Sequence, residues 1–530
     1  MLHTKQAFNG MVVAPHHLAA DAGKRVLQEG GNAIEAMIAA ASTIAVVYPH
    51  MNSLGGDNFW LLHAPGTEPL GIDACGAAAA AVDVDFYRSR GLDKIPDRGP
   101  LAALTTAGAV SGWQAALAHS TEQWQGRLPL ERLLEEAMFH AYHGVAVSDT
   151  LASHTQNKLG ELHEQPGFAG AFLDAGEPPR PGARFKQPAL AQTLSTLVKN
   201  GLDDFYRGVL AQIIASELTT VGSPVSREDL AAQHAKQLTP LSLTVAGHRL
   251  YNMPPPTQGL TSLMLLGVYE RLGVTDSDTF EFIHGLVEAT KQCFRIRDSK
   301  VCDPRYMSEP AEDFLQPGLL DELAQGIDRQ IAQPWPDASP GGDTVWLGAI
   351  DRQGRAVSFI QSIYWEFGSG VVLPQTGITW QNRGTSFSLD PAHHNCLKPH
   401  RRPFHTIQPA LALLNDGRVM PYGTMGGDGQ PQTQAMVFAR HVLHGQSLQE
   451  SVTAPRWLLG RTWGKDVTNL RIENRFSEDV IGALRSAGHD IEVMGAFEEV
   501  MGHAGALVHR PDGLIEGAAD PRSDGAASGF

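Results

Sequence analysis

A threonine that follows two glycines and an aspartate has the clearest chemical potential in this sequence. The run Gly341-Gly342-Asp343-Thr344 precedes two β-prone segments, residues 344–350 and 356–362, which are separated by a polar, glycine-containing turn. Such a pair of segments predicts a β-hairpin that begins at the threonine. If the chain were cut between Asp343 and Thr344, the new N-terminus would carry a hydroxyl nucleophile and an amine base in one residue.

A second glycine cluster suggests a partner for such a nucleophile. The run Gly423-Thr424-Met425-Gly426-Gly427-Asp428-Gly429 lies between a predicted strand, 418–422, and a helix predicted from Thr433. Consecutive glycines can turn backbone N–H groups toward one point, and a helix N-terminus adds positive potential. That arrangement suits the oxyanion of an acyl transfer, although a flexible strand-to-helix turn explains the same residues equally well.

The elements that must position these groups form a helical part followed by a strand-rich part. Apolar spacing predicts helices over 17–29, 33–47, 260–271 and 280–297, whereas short strands dominate beyond Thr344. Residues 303–340 are rich in Pro, Asp and Gln, which predicts a flexible, exposed linker before the threonine. This order of elements favours sheets covered by helices.

Composition limits the classes of partner. The chain has 530 residues, of which 42% are hydrophobic and 18% charged, so it can build a large core with two or more substructures or one layered domain. Its formal net charge of −16 argues against nucleic acid and anionic membranes as partners. Neither a secretory signal nor an 18-residue apolar run is recognisable, which predicts a soluble, cytoplasmic protein.

Metal and cofactor motifs are not recognisable either. The sequence has 22 histidines, but the pairs His16-His17 and His393-His394, and the single His400 and His405, lack spaced Cys and carboxylate partners. There is no complete P-loop and no Gly-x-Ser-x-Gly motif. We therefore expect no metal and no cofactor. The four cysteines are scattered, which predicts free thiols; they are Cys75, Cys293, Cys302 and Cys396.

Eight short segments, in a fixed order along the chain, carry a family resemblance. The segments are Gly30-Gly31-Asn32-Ala33, Leu54-Gly55-Gly56-Asp57-Asn58-Phe59, Met253-Pro254-Pro255-Pro256, Asp343-Thr344, Lys398-Pro399-His400-Arg401-Arg402-Pro403, Gly426-Gly427, Ala454-Pro455-Arg456 and Asp520-Pro521-Arg522-Ser523. With them the chain resembles the γ-glutamyltransferase family of N-terminal nucleophile hydrolases over nearly its whole length.

The resemblance implies an α/β fold of four layers, αββα, made as a precursor that cleaves itself between Asp343 and Thr344. Residues 1–343 would form a large (α) subunit and residues 344–530 a small (β) subunit. These fragments would stay together as a heterodimer, and whether two heterodimers pair is left open. Thr344 resembles the family's nucleophile and Ser362 the hydroxyl beside it. Gly426 and Gly427 match the family's oxyanion-hole glycines.

Several positions depart from the family pattern. The arginine that grips the α-carboxylate of glutamate is missing from Asp73-Ala74-Cys75-Gly76. His405-Thr406 replaces the family's paired serines, Tyr364 its asparagine, and Ser386 the acidic residue that binds the α-amino group. Together these changes remove most of the clamp for the head group of glutamate.

Arg383, three residues before Ser386, is a candidate for a new bidentate carboxylate anchor, with an ordinary surface arginine as the alternative. A small amide with a carboxylate and no α-amino group fits these replacements, with Tyr364, His405 and Thr406 as further substrate contacts. We therefore expect an amidohydrolase of the oxamate type. Open alternatives are a γ-glutamyltransferase or glutathione hydrolase, a cephalosporin or glutaryl acylase, and an unprocessed relative without activity.

Overall fold

The computed structural model describes residues 3–335, 342–460 and 467–530. The α-helices are α1 His17–Gln28, α2 Ala33–Val47, α3 Val84–Arg88, α4 Ala109–Gln123, α5 Leu130–His143, α6 Asp149–Leu162, α7 Phe168–Phe172, α8 Pro188–Asn200, α9 Asp204–Arg207, α10 Val209–Val221, α11 Arg227–Ala232, α12 Gly259–Arg271, α13 Phe280–Lys300, α14 Pro317–Gln325, α15 Gly429–Phe438, α16 Leu448–Thr453 and α17 Glu478–Ser486. Short 3₁₀ helices cover Pro304–Tyr306, Ala311–Leu315, Arg383–Ser386 and Glu499–Met501, and a π-helical turn covers Ala439–Leu443.

The strands are β1 Lys5–Ala7, β2 Gly10–Ala14, β3 Asp57–His63, β4 Leu70–Ala74, β5 Val145–Ala146, β6 Arg184–Phe185, β7 Lys236–Leu238, β8 Leu241–Val245, β9 His248–Asn252, β10 Asp343–Asp351, β11 Ala356–Tyr364, β12 Ala410–Leu413, β13 Val419–Thr424, β14 Trp457–Leu459, β15 Leu470–Glu473, β16 Ile491–Met494, β17 Ala504–His509, β18 Ile515–Ala519 and β19 Ala526–Gly529. Two seven-stranded antiparallel sheets contain most of them. Sheet I has the order β1-β18-β17-β13-β12-β9-β8, and sheet II the order β19-β2-β10-β11-β3-β4-β7.

Three hydrophobic clusters separate the molecule into four layers. Strand β3 contributes to two clusters, with Phe59 and Leu61 between the two sheets and Trp60 and Leu62 between sheet II and helices such as α2. The third cluster joins sheet I to α12, α13 and α15. Apolar side chains thus cover both faces of each sheet, because one face meets the other sheet and the other face meets helices. The predicted αββα architecture is confirmed.

Trp346, two residues after Thr344, fills the space between the two sheets. Its indole is 2% exposed, and its Nε1 donates to Ser358 Oγ at 3.0 Å. Glycines of sheet I make room for the ring: a Cβ built on Gly423 would lie 2.2 Å from Trp346 Cδ1, and one on Gly505 2.5 Å from Cζ3. The glycines of β13 and β17 therefore leave space for Trp346, whose packing fixes the position of β10.

We expect Gly423→Ala to lower the free energy of unfolding by about 3 kcal/mol, because the added methyl cannot coexist with the indole unless a strand moves. Gly482→Ala is a matched control, since Gly482 lies in α17 and a Cβ there would have no neighbour within 4 Å. That change should raise stability by up to about 1 kcal/mol through helix propensity. Denaturant unfolding of both variants measures the difference, and equal stabilities would contradict the locking role of Trp346.

Most sequence-predicted elements are confirmed, including the hairpin of β10 and β11 and the helices α1, α2, α12 and α13. The predicted linker is wrong for 303–335. That segment forms two 3₁₀ turns and α14, and it buries Phe314 and Leu320 against the helices of sheet I, because its apolar residues recur at helical spacing. The end of the proposed linker, residues 336–341, lies outside the described residues.

The four cysteines are buried, free thiols, as predicted. Within the described parts of the chain, no helix combines the length and apolar character that crossing a bilayer requires.

Candidate active site

The hairpin is irregular at Thr344. Asp343 pairs with Tyr364 and Val345 with Gln361, so a single residue of β10, Thr344, lies opposite Ser362 and Ile363 of β11. Tyr364 has a positive φ of 81°, which is rare for a bulky side chain. Bulges of this kind occur often beside active sites because they redirect a side chain. The distortion therefore falls at the peptide bond that the sequence singled out.

Thr344 and Ser362 are buried, and polar groups lie beside them. The threonine is fully buried, and Gln430 Nε2 donates to its Oγ1 at 3.4 Å. Gln430 is itself oriented by the backbone N–H of Gln408, which donates to its Oε1 at 3.2 Å. Ser362 is also buried, and its Oγ accepts a 2.8 Å hydrogen bond from the Tyr364 N–H. The predicted nucleophile and its predicted serine neighbour thus lie in the same buried region.

The turn of Gly426 and Gly427 is fixed by polar contacts. Their φ angles of 120° and 49° favour glycine at both positions. Gln258 Nε2 donates to the Gly427 carbonyl at 2.7 Å, and Arg297 Nη1 donates to Gln258 Oε1 at 2.9 Å. Arg297 also pairs with the next residue, Asp428, at 2.8 Å. These contacts argue for an ordered turn, and the oxyanion role of the two glycines stays a prediction.

Arg383 is fully buried, so the alternative of a surface arginine is wrong. Its Nη1 donates to Thr406 Oγ1 at 3.1 Å, and its guanidinium lies 3.9 Å from the centroid of the Tyr364 ring. Among the described residues, its Nε and Nη2 have no hydrogen-bonding partner. Burial lowers its pKa to about 10, which leaves it charged at neutral pH. A buried cation with two free donors is suited to an anionic ligand.

His405 lies beside a carboxylate from a distant part of the chain. Its Nε2 is 2.9 Å from Asp57 Oδ2, and both residues are fully buried. Cys75 is close enough for one ligand atom of each of the three residues to lie within 4.8 Å of the others. The sequence contained a signal for Asp57, because it stands in a family-like segment, but gave it no role.

A cavity of about 340 Å³ opens beside Tyr364 and the 3₁₀ turn that carries Ser386. The hydroxyl of Ser386 lines it and has no hydrogen-bonding partner within the described parts of the chain. The cavity also contains Asp298, which is paired with Arg297 at 2.7 Å. Tyr364 therefore contacts both this space and the buried guanidinium of Arg383.

The chain matches the family described as gamma-glutamyltranspeptidase over residues 19–530. This chain belongs to the gamma-glutamyltranspeptidase family. It is 54% identical to the oxamate amidohydrolase proenzyme of Klebsiella pneumoniae subsp. pneumoniae, over 98% of each chain. It is 40% identical to the glutathione hydrolase-like YwrD proenzyme of Bacillus subtilis, over 100% of this chain and 99% of the relative.

The gamma-glutamyltranspeptidase family also includes solved structures of the same fold. A cephalosporin acylase from Bacillus halodurans superimposes with a TM-score of 0.91 at 32% identity, covering 100% of this chain and 97% of the acylase. The predicted family, enzyme class and N-terminal nucleophile hydrolase fold are thereby confirmed. The substrates named for these relatives differ, so membership of the family does not by itself identify a substrate.

Proposed function

We propose that this chain is a precursor that cleaves itself between Asp343 and Thr344 to become an amidohydrolase for small carboxylate-bearing amides, with oxamate as the leading substrate. The observation that carries the proposal is Arg383, a buried cation with two free donors, placed one aromatic ring away from the distorted end of the hairpin. The relative named oxamate amidohydrolase proenzyme, at 54% identity, supports the same substrate.

Self-cleavage would begin with attack of Thr344 Oγ1 on the carbonyl carbon of Asp343. The acyl group then moves from nitrogen to oxygen, and water hydrolyses the resulting ester, which leaves a carboxylate on Asp343 and a free amine on Thr344. The products, residues 1–343 and 344–530, should remain associated. In sheet II the strands β10 and β11 of the second fragment lie between β2 and β3 of the first.

Amide hydrolysis would then use the same hydroxyl. The free α-amine of Thr344, with a reference pKa of about 7.7–8.0, takes the hydroxyl proton and passes it to the leaving nitrogen. Backbone N–H groups of Gly426 and Gly427 would hold the oxyanion, and Ser362 would orient the nucleophile. Water attacks the acyl-enzyme and releases the acid. No step of this scheme requires a metal or a cofactor.

The substrate's carboxylate would bind the free Nε and Nη2 of Arg383, a bidentate geometry that guanidinium groups favour. In oxamate the carboxylate is bonded directly to the scissile carbonyl, so its anchor must lie close to the nucleophile. The stacking of Arg383 on Tyr364, which pairs with Asp343 across the hairpin, supports this placement. Thr406 would hold the guanidinium from its other side.

The expected compartment of the enzyme is the cytoplasm.

A substrate panel tests this function. After incubation, we expect a denaturing gel to show two fragments, and the processed protein to release ammonia from oxamate at least about 100-fold faster, in kcat/KM, than it cleaves a γ-glutamyl anilide or a glutaryl amide. The reason is that an anchor one aromatic ring away from the end of the hairpin would hold the carboxylate too near the nucleophile for a longer acid. Preferred turnover of the γ-glutamyl anilide would identify a glutathione hydrolase, and a single inactive band would identify a non-catalytic relative.

A further inference from the structure

The carboxylate of Asp57 is held so that only one oxygen faces His405. Its Oδ1 accepts hydrogen bonds from the N–H of Gly76 at 3.0 Å, from the N–H of Gly108 at 2.9 Å and from Gln381 Nε2 at 3.1 Å. Its Oδ2 faces His405 Nε2 at 2.9 Å. Three donors on one oxygen stabilise the ionised carboxylate. An ionised Oδ2 requires the proton of the imidazole to be on Nε2.

The other ring nitrogen of His405 is therefore an acceptor. Burial, with the charges of Arg383 and Arg402 nearby, holds the pKa of His405 well below its usual value, so the ring is neutral. With its single proton on Nε2, the neutral ring has a lone pair on Nδ1. That nitrogen is buried and has no hydrogen-bonding partner in the described part of the chain. A buried acceptor without a donor favours a ligand that brings an N–H or O–H group.

The same buried region contains the donors of Arg383. Thr406, adjacent to His405 in the chain, accepts a hydrogen bond from Arg383 Nη1. Asp57 is hydrogen-bonded to His405, so the three groups belong to one region. The charge of Arg383 accordingly lowers the pKa of both Asp57 and His405. The region thus offers two cationic donors, Nε and Nη2, and one neutral acceptor, Nδ1. A carboxylate next to a primary amide, –CO–NH₂, presents the complementary groups.

We propose that His405 Nδ1 accepts a hydrogen bond from the N–H of the substrate's scissile amide, with Asp57 as the positioning residue, so that the site selects amides over esters. This rests on the proposed amidohydrolase function and specifies which acyl derivatives it accepts. His405 neither gains nor loses a proton in the reaction, because the Thr344 amine supplies the proton of the leaving group. A site built around an N–H group rejects an analogue that lacks it, since its acceptor would then be left unpaired.

The arrangement has a pH signature. Burial raises the pKa of Asp57 to about 6, and the charge of Arg383 opposes this shift. The other titratable groups that face Asp57 are His405, Cys75 and Tyr206. Below that pH, the protonated Oδ2 would donate a hydrogen bond to Nε2. The neutral ring would then carry its single proton on Nδ1 instead of Nε2. The acceptor then becomes a donor, so selection for an amide N–H is expected above pH 6 and should be lost as the pH falls through it.

The test compares oxamate with the monomethyl ester of oxalic acid, which has the same carboxylate and carbonyl but no N–H. We expect the amide-to-ester ratio of kcat/KM to fall at least about 10-fold in His405→Phe, and less in His405→Gln, whose amide can donate to Asp57 and still offer an acceptor. In the wild type the ratio should fall by a similar factor from pH 7.5 to 5. Titration of the Thr344 amine affects both substrates and cancels in the ratio.

Equal losses on amide and ester in both variants, or a wild-type ratio that does not change with pH, would overturn the role of His405 while leaving the amidohydrolase proposal intact. The pH profile uses only the wild-type protein, so it decides the matter even if His405→Phe does not fold. Failure of the processed wild type on both substrates would instead overturn the proposed function, and the role of His405 with it.

Discussion

Thr344→Ala is expected to remain a single full-length chain and to lose amide hydrolysis by at least about 10⁴-fold, as enzymes do when the nucleophile of a covalent mechanism is removed. Both losses have one cause, because the same hydroxyl would attack the Asp343 carbonyl during maturation and the substrate afterwards. The fold should survive, since the hydrogen bond that Gln430 donates to the side chain is long, at 3.4 Å, and the strand is fixed by Trp346.

The measurements are a denaturing gel after prolonged incubation and an ammonia-release assay on oxamate. Thr344→Ser is the matched control, because serine keeps the hydroxyl and, after cleavage, the free amine; it should mature into two fragments and retain activity. A Thr344→Ala protein that appears as two fragments and hydrolyses oxamate would eliminate the N-terminal threonine mechanism. Full-length, active protein would separate maturation from catalysis and contradict the shared role.

Much of the frame around Thr344 follows from local sequence patterns. Two β-prone runs on either side of a polar turn predict the hairpin of β10 and β11, and the spacing of apolar residues predicts helix α2. Both are local signals, because each depends on the residues of one short segment. The prediction for 303–335 is wrong because the Pro and Asp content of the segment, which indicates a loop, outweighed the helical spacing of its apolar residues. Two of these, Phe314 and Leu320, are buried against helices elsewhere in the chain.

The substrate region is less visible in the sequence because its groups meet only in three dimensions. Asp57 and His405 are 348 positions apart, yet they share a hydrogen bond. Arg383 carries no local sign of burial, since a charged side chain in a polar segment is exposed in most proteins. Its position became apparent only when the Tyr364 ring and Thr406 were placed around it. The family-like motifs indicate where the candidate catalytic residues lie. The packing indicates which donors of Arg383 have no hydrogen-bonding partner among the described residues.

Arg383→Gln is expected to lower kcat/KM for oxamate by at least about 100-fold, because it removes the buried cation that would meet the carboxylate. Arg383→Lys should recover only part of this loss, since an ammonium keeps the charge but cannot present two parallel donors. Oxamide, the neutral diamide, provides the matched substrate. It lacks the carboxylate, so its turnover should change little in either variant, and the preference for oxamate over oxamide should largely disappear in Arg383→Gln.

A purely structural role for Arg383 makes the opposite prediction. An arginine that held the fold together would lower stability when replaced and would affect both substrates equally. Among the described residues, however, Arg383 makes one hydrogen bond, to Thr406, and leaves Nε and Nη2 unpartnered. Burying such a cation costs free energy, so Arg383→Gln should unfold at the wild-type temperature or above it. Loss of oxamate preference without loss of thermal stability would distinguish a carboxylate anchor from a structural residue, and a parallel fall on oxamide would exclude the anchor.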